Sequence, residues 1–290
     1  MHTFLRAIGL SNITSRIKLD RLLGEVMARP DKKSQIKVND SEDFTEIGKS
    51  FGDGFGIIVR GIYDEKGFFH VDNYFPYLTG VCETIKNELT ISRKSDEREF
   101  AVMCDDVRLG VLLIFYLQNS FDYIRFMNKN QGMPPLNSAY ISGLSVEGKI
   151  ILPVVKDDLP GEHSESKREH NKMVYEARNG DEEAIEKLAV EDIDMYVEIN
   201  KRIKDEDIYS IVDTSFFPFG SESDNYAIVG TILNFKMVLN EFSGEFVCVM
   251  LLECNDLIFN ICINQEDLYG MPMVGARFKG NVWLQGRVEF

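Results

Sequence analysis

The sequence predicts an α+β protein: an N-terminal region of antiparallel sheet plus helices, a helical connector, and a C-terminal small β-barrel or sandwich. Two observations lead there. Apolar residues recur at helical spacing near the N-terminus, at strand period from Phe55 to Pro153, at helical spacing again through residues 174–203, and then at strand period to the end. The acidic charge follows the same division. The chain carries −15 over 290 residues. Residues 1–155 are close to neutral, 156–205 are acidic, and 206–290 hold 12 Asp and Glu against four Lys and Arg. The predicted units are therefore 1–155, 156–205 and 206–290.

The first helix is read over residues 14–29, where Leu19, Leu22, Leu23, Val26 and Met27 form a stripe. Thr14 or Ser15 can cap its start, and Pro30 closes it. Asp31–Ser50 is polar and reads as a mobile loop. Three hairpins follow: Gly56–Tyr63 with Gly67–Tyr74, Phe100–Cys104 with Val111–Leu117, and Ala139–Leu144 with Lys149–Pro153. Tyr77–Leu89 and Gln118–Asn130 are expected to be helices packed on that sheet.

Gly180 suits the left-handed stop of one helix and Asp181 the N-cap of the next. Val174–Ile203 is the expected connector. Beyond it, Ile208–Asp213, Tyr226–Leu239, Glu245–Leu252 and Leu257–Ile263 are strand candidates, and Ala276–Phe290 has room for two more. Asn255-Asp256 fits a two-residue turn, and Asn264 can cap a single helical turn. Strand, strand, strand, short helix, strand resembles the order of an OB-like barrel.

Several function classes are disfavoured. The longest apolar run, Val111–Leu117, is strand-sized, and no secretory leader is expected, so the sequence predicts a cytoplasmic protein with no membrane partner. The acidic C-terminal part would repel a polyanion, so no nucleic-acid partner is expected. The five cysteines lack any CxxC, and His163 and His170 sit in a very polar stretch; no metal and no cofactor are expected. Gly52-Asp53-Gly54-Phe55-Gly56 precedes a strand, whereas a dinucleotide loop opens a helix. Glu191-Asp192-Ile193-Asp194 and Asp205-Glu206-Asp207 do not follow calcium-loop spacing.

What remains are binding candidates. Phe216-Phe217-Pro218-Phe219 falls where a loop is expected, either to plug a barrel end or to form a contact patch. Arg277 and Lys279 are two apart, so on a strand they share a face, with Phe278 opposite. They are read either as neutralisers of nearby acids or, beside Trp283, as a positive spot for an anionic ligand or an acidic partner segment.

A resemblance covers essentially the whole chain. Its residues are Met1-His2-Thr3-Phe4-Leu5-Arg6-Ala7-Ile8-Gly9, Gly180–Ile185, Tyr209–Asp213, Cys254–Leu257, Val274–Gly280 and Trp283-Leu284-Gln285-Gly286. In these the chain resembles an uncharacterised family of clostridial-type bacterial cytoplasmic proteins. That resemblance implies no activity and brings no site residues. The expected function is a non-catalytic binding or regulatory role through protein or small-ligand contacts. The alternative is an enzyme of hydrolase or transferase class whose site is assembled from distant residues.

Overall fold

A computed structural model describes the chain except for residues 1, 40–41, 87, 94–98, 107, 110, 130–137, 154–171, 178, 191–213 and 222. The Thr3–Ile8 3-10 helix leads into helix α1 (Arg16–Ala28), whose first turn Ser15 caps by accepting from the Lys18 N–H. Leu19, Leu22, Leu23 and Val26 form its buried stripe.

Four strands then make an antiparallel meander: β1 (Lys32–Asn39), β2 (Glu42–Gly52), β3 (Phe55–Tyr63) and β4 (Phe69–Leu78). Asp31–Ser50 is therefore a pair of strands and not a mobile loop. The polar look arises because β1 is an edge strand with lysines outward, a common protection of sheet edges. The expected helix over Tyr77–Leu89 is also corrected. Tyr77 and Leu78 end β4, and Ile85 bridges Ala139. A side chain on Gly80 would meet the Ile141 carbonyl at 2.6 Å, so the chain passes too close to its neighbour to coil. Strands β5 (Thr90–Arg93), β6 (Phe100–Asp105) and β7 (Leu112–Leu117) pair antiparallel in sequence. Helix α2 (Ser120–Lys129) matches the expected second helix.

The third expected hairpin is absent. Strand β8 (Ala139–Ile151) runs unbroken through Ser145–Gly148. Gly148 lies in the strand because it faces Gly280 across the ladder, and a Cβ on it would sit 2.4 Å from the Phe278 ring. The glycine makes room for a core aromatic rather than for a turn. Residues 172–177 and 182–190 are helical. Gly180 between them has φ +88°, and Asp181 accepts from the N–H groups of Glu183 and Ala184. The rest of the expected connector, Ile208–Asp213, and His163 with His170 lie outside the described residues.

The remaining strands are β9 (Ser215–Pro218), β10 (Asn225–Leu239), β11 (Phe246–Cys254), β12 (Leu257–Asn264), β13 (Leu268–Tyr269) and β14 (Arg277–Val288). Asn255 and Asp256 both have positive φ, as the two-residue turn requires. Asn264 caps the turn that follows β12. Ala276–Phe290 holds one long strand rather than two.

Of the two expected C-terminal architectures, the structure is a barrel. Its five strands close in the order β8-β12-β11-β10-β14 and back to β8. Closure depends on β8, which pairs parallel with β12 and antiparallel with β14 from more than a hundred residues away. The interior is apolar, built from residues such as Ile228, Met250, Phe259, Ile261, Phe278 and Leu284.

A second core lies against the outside of the barrel. Leu144, Val249, Cys262 and Trp283 pack there with Leu5, Ile8 and the buried side chains of α1 and the meander. A buried polar seam crosses the same layer. Arg60, fully buried, pairs with Glu46 at 2.9 Å and donates to the Tyr116 hydroxyl and the Gln118 carbonyl. Gln118 donates to the Leu78 carbonyl and to Gln285, and Gln285 donates to the Pro76 carbonyl. Buried polar groups need such partners, so this seam sets how meander and barrel register on one another.

Candidate functional site

Alternation along β14 places Phe278, Val282 and Leu284 inside the barrel and Arg277, Lys279, Asn281 and Trp283 outside. Part of that outer face is covered by the meander layer. The rest forms a groove of about 360 Å³ across four neighbouring strands, β8, β14, β10 and β9.

Register fixes the floor as rows. One row runs Ser215–Val229–Lys279–Lys149–Tyr269, each residue the ladder partner of the next. The adjacent row runs Phe217–Ala227–Asn281, and the Asn281 amide donates to Glu147 at 2.5 Å. The two lysines thus stand directly opposite one another. Aromatic side chains flank the groove: Tyr269 is 76% exposed and Phe217 is 63% exposed. The floor between them includes the small side chain of Ala227, while Gly148 and Gly280 contribute backbone to the groove and face Phe278 on the other side.

The predicted site residues divide between three settings. Lys279 lines the groove. Arg277 is buried, and its guanidinium donates twice to the Leu152 carbonyl, at 2.8 and 3.0 Å. The Phe216–Phe219 stretch is not a loop but contains edge strand β9, so its rings alternate. Phe216 enters the core against Tyr226 and Phe259, while Phe217 and Phe219 are exposed.

Trp283 is one step along the ladder from Asn281, in a separate pocket of about 310 Å³. It packs against His2, Phe4 and Tyr116 there, and Glu99, Asp224 and Asn225 line the same space. Burial pushes the Tyr116 hydroxyl up, so it stays protonated.

Lys149, Tyr269, Asn281 and Glu147 were missed in the sequence. Lys149 had been assigned to a hairpin end, and its partner Lys279 lies 130 positions away, so no local signal joined them. His2, Glu99 and Asp224 were missed for the same reason.

The thiols offer no nucleophile in either place. Burial pushes Cys248 and Cys254 up to about 12 and Cys104 to about 11. Among the described residues, no three His, Cys, Asp or Glu side chains are grouped to hold a metal ion. No helix among them is long and apolar enough to cross a membrane.

The class defined by this architecture is an α+β protein with a closed five-stranded barrel braced by an antiparallel meander. The chain belongs to the family described as a domain of unknown function, E. rectale gene description (DUF3881), whose model matches residues 5–286. No curated protein and no solved structure matches it.

Proposed function

We propose that the protein is a non-catalytic, cytoplasmic binding protein and that the groove takes a small anionic ligand with an apolar or aromatic body. The carrying observation is the cross-strand pair Lys149–Lys279, set in an apolar floor between Tyr269 and Phe217. The ladder brings two basic side chains to one groove, and a local concentration of positive charge favours an anionic ligand. The groove volume falls in the range of small-molecule sites, ~300–1,000 Å³. The exposed rings offer stacking surfaces for the ligand body. The five cysteines, all unbridged, fit a reducing compartment.

The test is calorimetric titration of the full chain with 2-naphthoate, against the neutral isostere 2-naphthalenemethanol. The carboxylate should bind and the alcohol should not, and added salt should weaken binding. The double variant Lys149→Ala, Lys279→Ala should lose roughly tenfold or more in affinity, about 1.4 kcal/mol. Equal binding of both compounds, or unchanged affinity in the variant, would remove the groove as an anion site.

A further inference from the structure

We propose that the crevice between the meander and the start of α2 binds a small zwitterion of the α-amino-acid class, with its carboxylate on Arg287 and its ammonium on Asp122. The crevice holds about 210 Å³ and shares no lining residue with the groove. That volume lies below the usual range of drug-sized sites and suits a smaller metabolite.

The sequence of β2 makes the hollow. Glu46, Gly48 and Ser50 alternate onto one face of the strand, and all three line the crevice. Gly48 is the ladder partner of Lys32 on β1 and of Ile58 on β3. Within 4 Å, a Cβ on Gly48 would meet only the Lys32 Cβ, at 3.8 Å, so the space over it is open. Ile58 and Tyr77 add apolar surface beside it.

The other wall is fixed by backbone pairing. The Gln118 N–H donates to the Gly286 carbonyl at 2.8 Å, and the Asn119 side chain exchanges two hydrogen bonds with the Val288 backbone, at 2.8 and 3.1 Å. These bonds join the start of α2 to the end of β14 and bring Asp122 and Arg287 to one crevice.

The charges there differ in what already holds them. Glu46 is engaged by Arg60 at 2.9 Å, and Asp31 accepts from the Ser50 N–H at 2.7 Å. Among the described residues, Asp122 and Arg287 form no ion pair, with each other or with another side chain. Burial raises the Tyr77 pKa; Asp31 adds to the rise and Arg287 opposes it, so the guanidinium acts on the phenol that lines the crevice. A guanidinium holds a carboxylate through two parallel N–H bonds, and a carboxylate accepts from an ammonium. A ligand carrying both charges on neighbouring carbons answers both residues. A ligand with one charge leaves the other residue unmatched.

The test is titration of the 15N-labelled full chain with L-leucine, followed at the Thr79 and Asn119 amides so that events in the groove are not counted. The comparison compounds are 4-methylpentanoate, which lacks the ammonium, and 3-methylbutylamine, which lacks the carboxylate. Leucine should shift these amides saturably, and each singly charged compound should bind roughly tenfold or more weakly. Arg287→Gln and Asp122→Asn should each lower leucine affinity roughly tenfold. Gly48→Val keeps both charges and suits a strand, yet it fills the hollow, so it should abolish leucine binding in a folded chain. Should a charge variant fail to fold, Gly48→Val must still abolish binding. No saturable shift with leucine, equal affinity for either singly charged compound, or undiminished affinity in any of the three folded variants would each overturn the proposal.

Discussion

The barrel interior and the seam between barrel and meander are both fully buried, yet they are held by different physics. Inside the barrel, apolar side chains interdigitate, and Gly148 faces Gly280 so that the Phe278 ring can lie between strands. Across the seam, Arg60, Glu46, Gln118 and Gln285 make directional hydrogen bonds within an otherwise apolar layer. Volume therefore governs the first region and pairing governs the second. The difference decides which parts of β14 are left to line the groove. The strand's inner face is locked by packing, and its outer face is tied down at Arg277, which donates to the Leu152 carbonyl, and at Trp283 and Gln285, which are buried in the layer outside the barrel. Between Arg277 and Trp283, Lys279 and Asn281 line the groove.

The largest effect expected from this contrast is at Arg60. Arg60→Ala leaves Glu46 buried without its partner and should cost about 3–5 kcal/mol of unfolding free energy, read by chemical denaturation. Adding Glu46→Leu to Arg60→Met should recover most of that loss, because the buried charge is removed together with its partner. A double variant as unstable as the single one would show that the seam is held by shape rather than by charge.

A smaller loss is expected inside the barrel. Gly148→Ala places a methyl 2.4 Å from the Phe278 ring and should cost about 1–3 kcal/mol through overpacking. Phe278→Leu in the same chain should relieve part of it, since the missing ring carbons reopen the space. No coupling between the two substitutions in a double-mutant cycle would contradict the packing account.

The smallest effect is expected in the groove. Lys149→Ala with Lys279→Ala should change stability by no more than about 0.5 kcal/mol for each substitution, because both lysines lie on the outer face of the barrel. A loss of several kcal/mol would mean that the lysines serve the fold rather than a ligand.

Local rules carried much of this architecture. The Ser15 and Asn264 caps, the Asn255-Asp256 turn and the Gly180–Asp181 break are all decided within a few residues, and the structure has each of them. The misreadings share a cause in distant partners. Tyr77, Leu78, Val81, Ile85 and Leu89 have helical spacing, but Tyr77 and Leu78 are drawn into β4 and Ile85 to Ala139. Gly148 looks like a turn residue until Phe278, 130 positions on, is placed against it. Of the groove, only Lys279 and the exposed Phe217 were legible. The opposing lysine comes from β8, and β8 joins the barrel through pairings that no short window contains. Arg277 also looked like a surface cation. Its burial follows from the Leu152 carbonyl that accepts from its guanidinium.

The claim that the outer face of β8, β14 and β10 is an anion-binding groove is tested most directly by mapping amide shifts. The full chain, labelled with 15N, would be titrated with 2-naphthoate and followed by two-dimensional NMR. The account predicts saturable shifts centred on Glu147–Lys149, Ala227–Val229 and Lys279–Asn281, with Trp283 and the barrel interior little changed. Saturable shifts centred on another part of the molecule, or no shifts at concentrations that saturate the calorimetric signal, would contradict it.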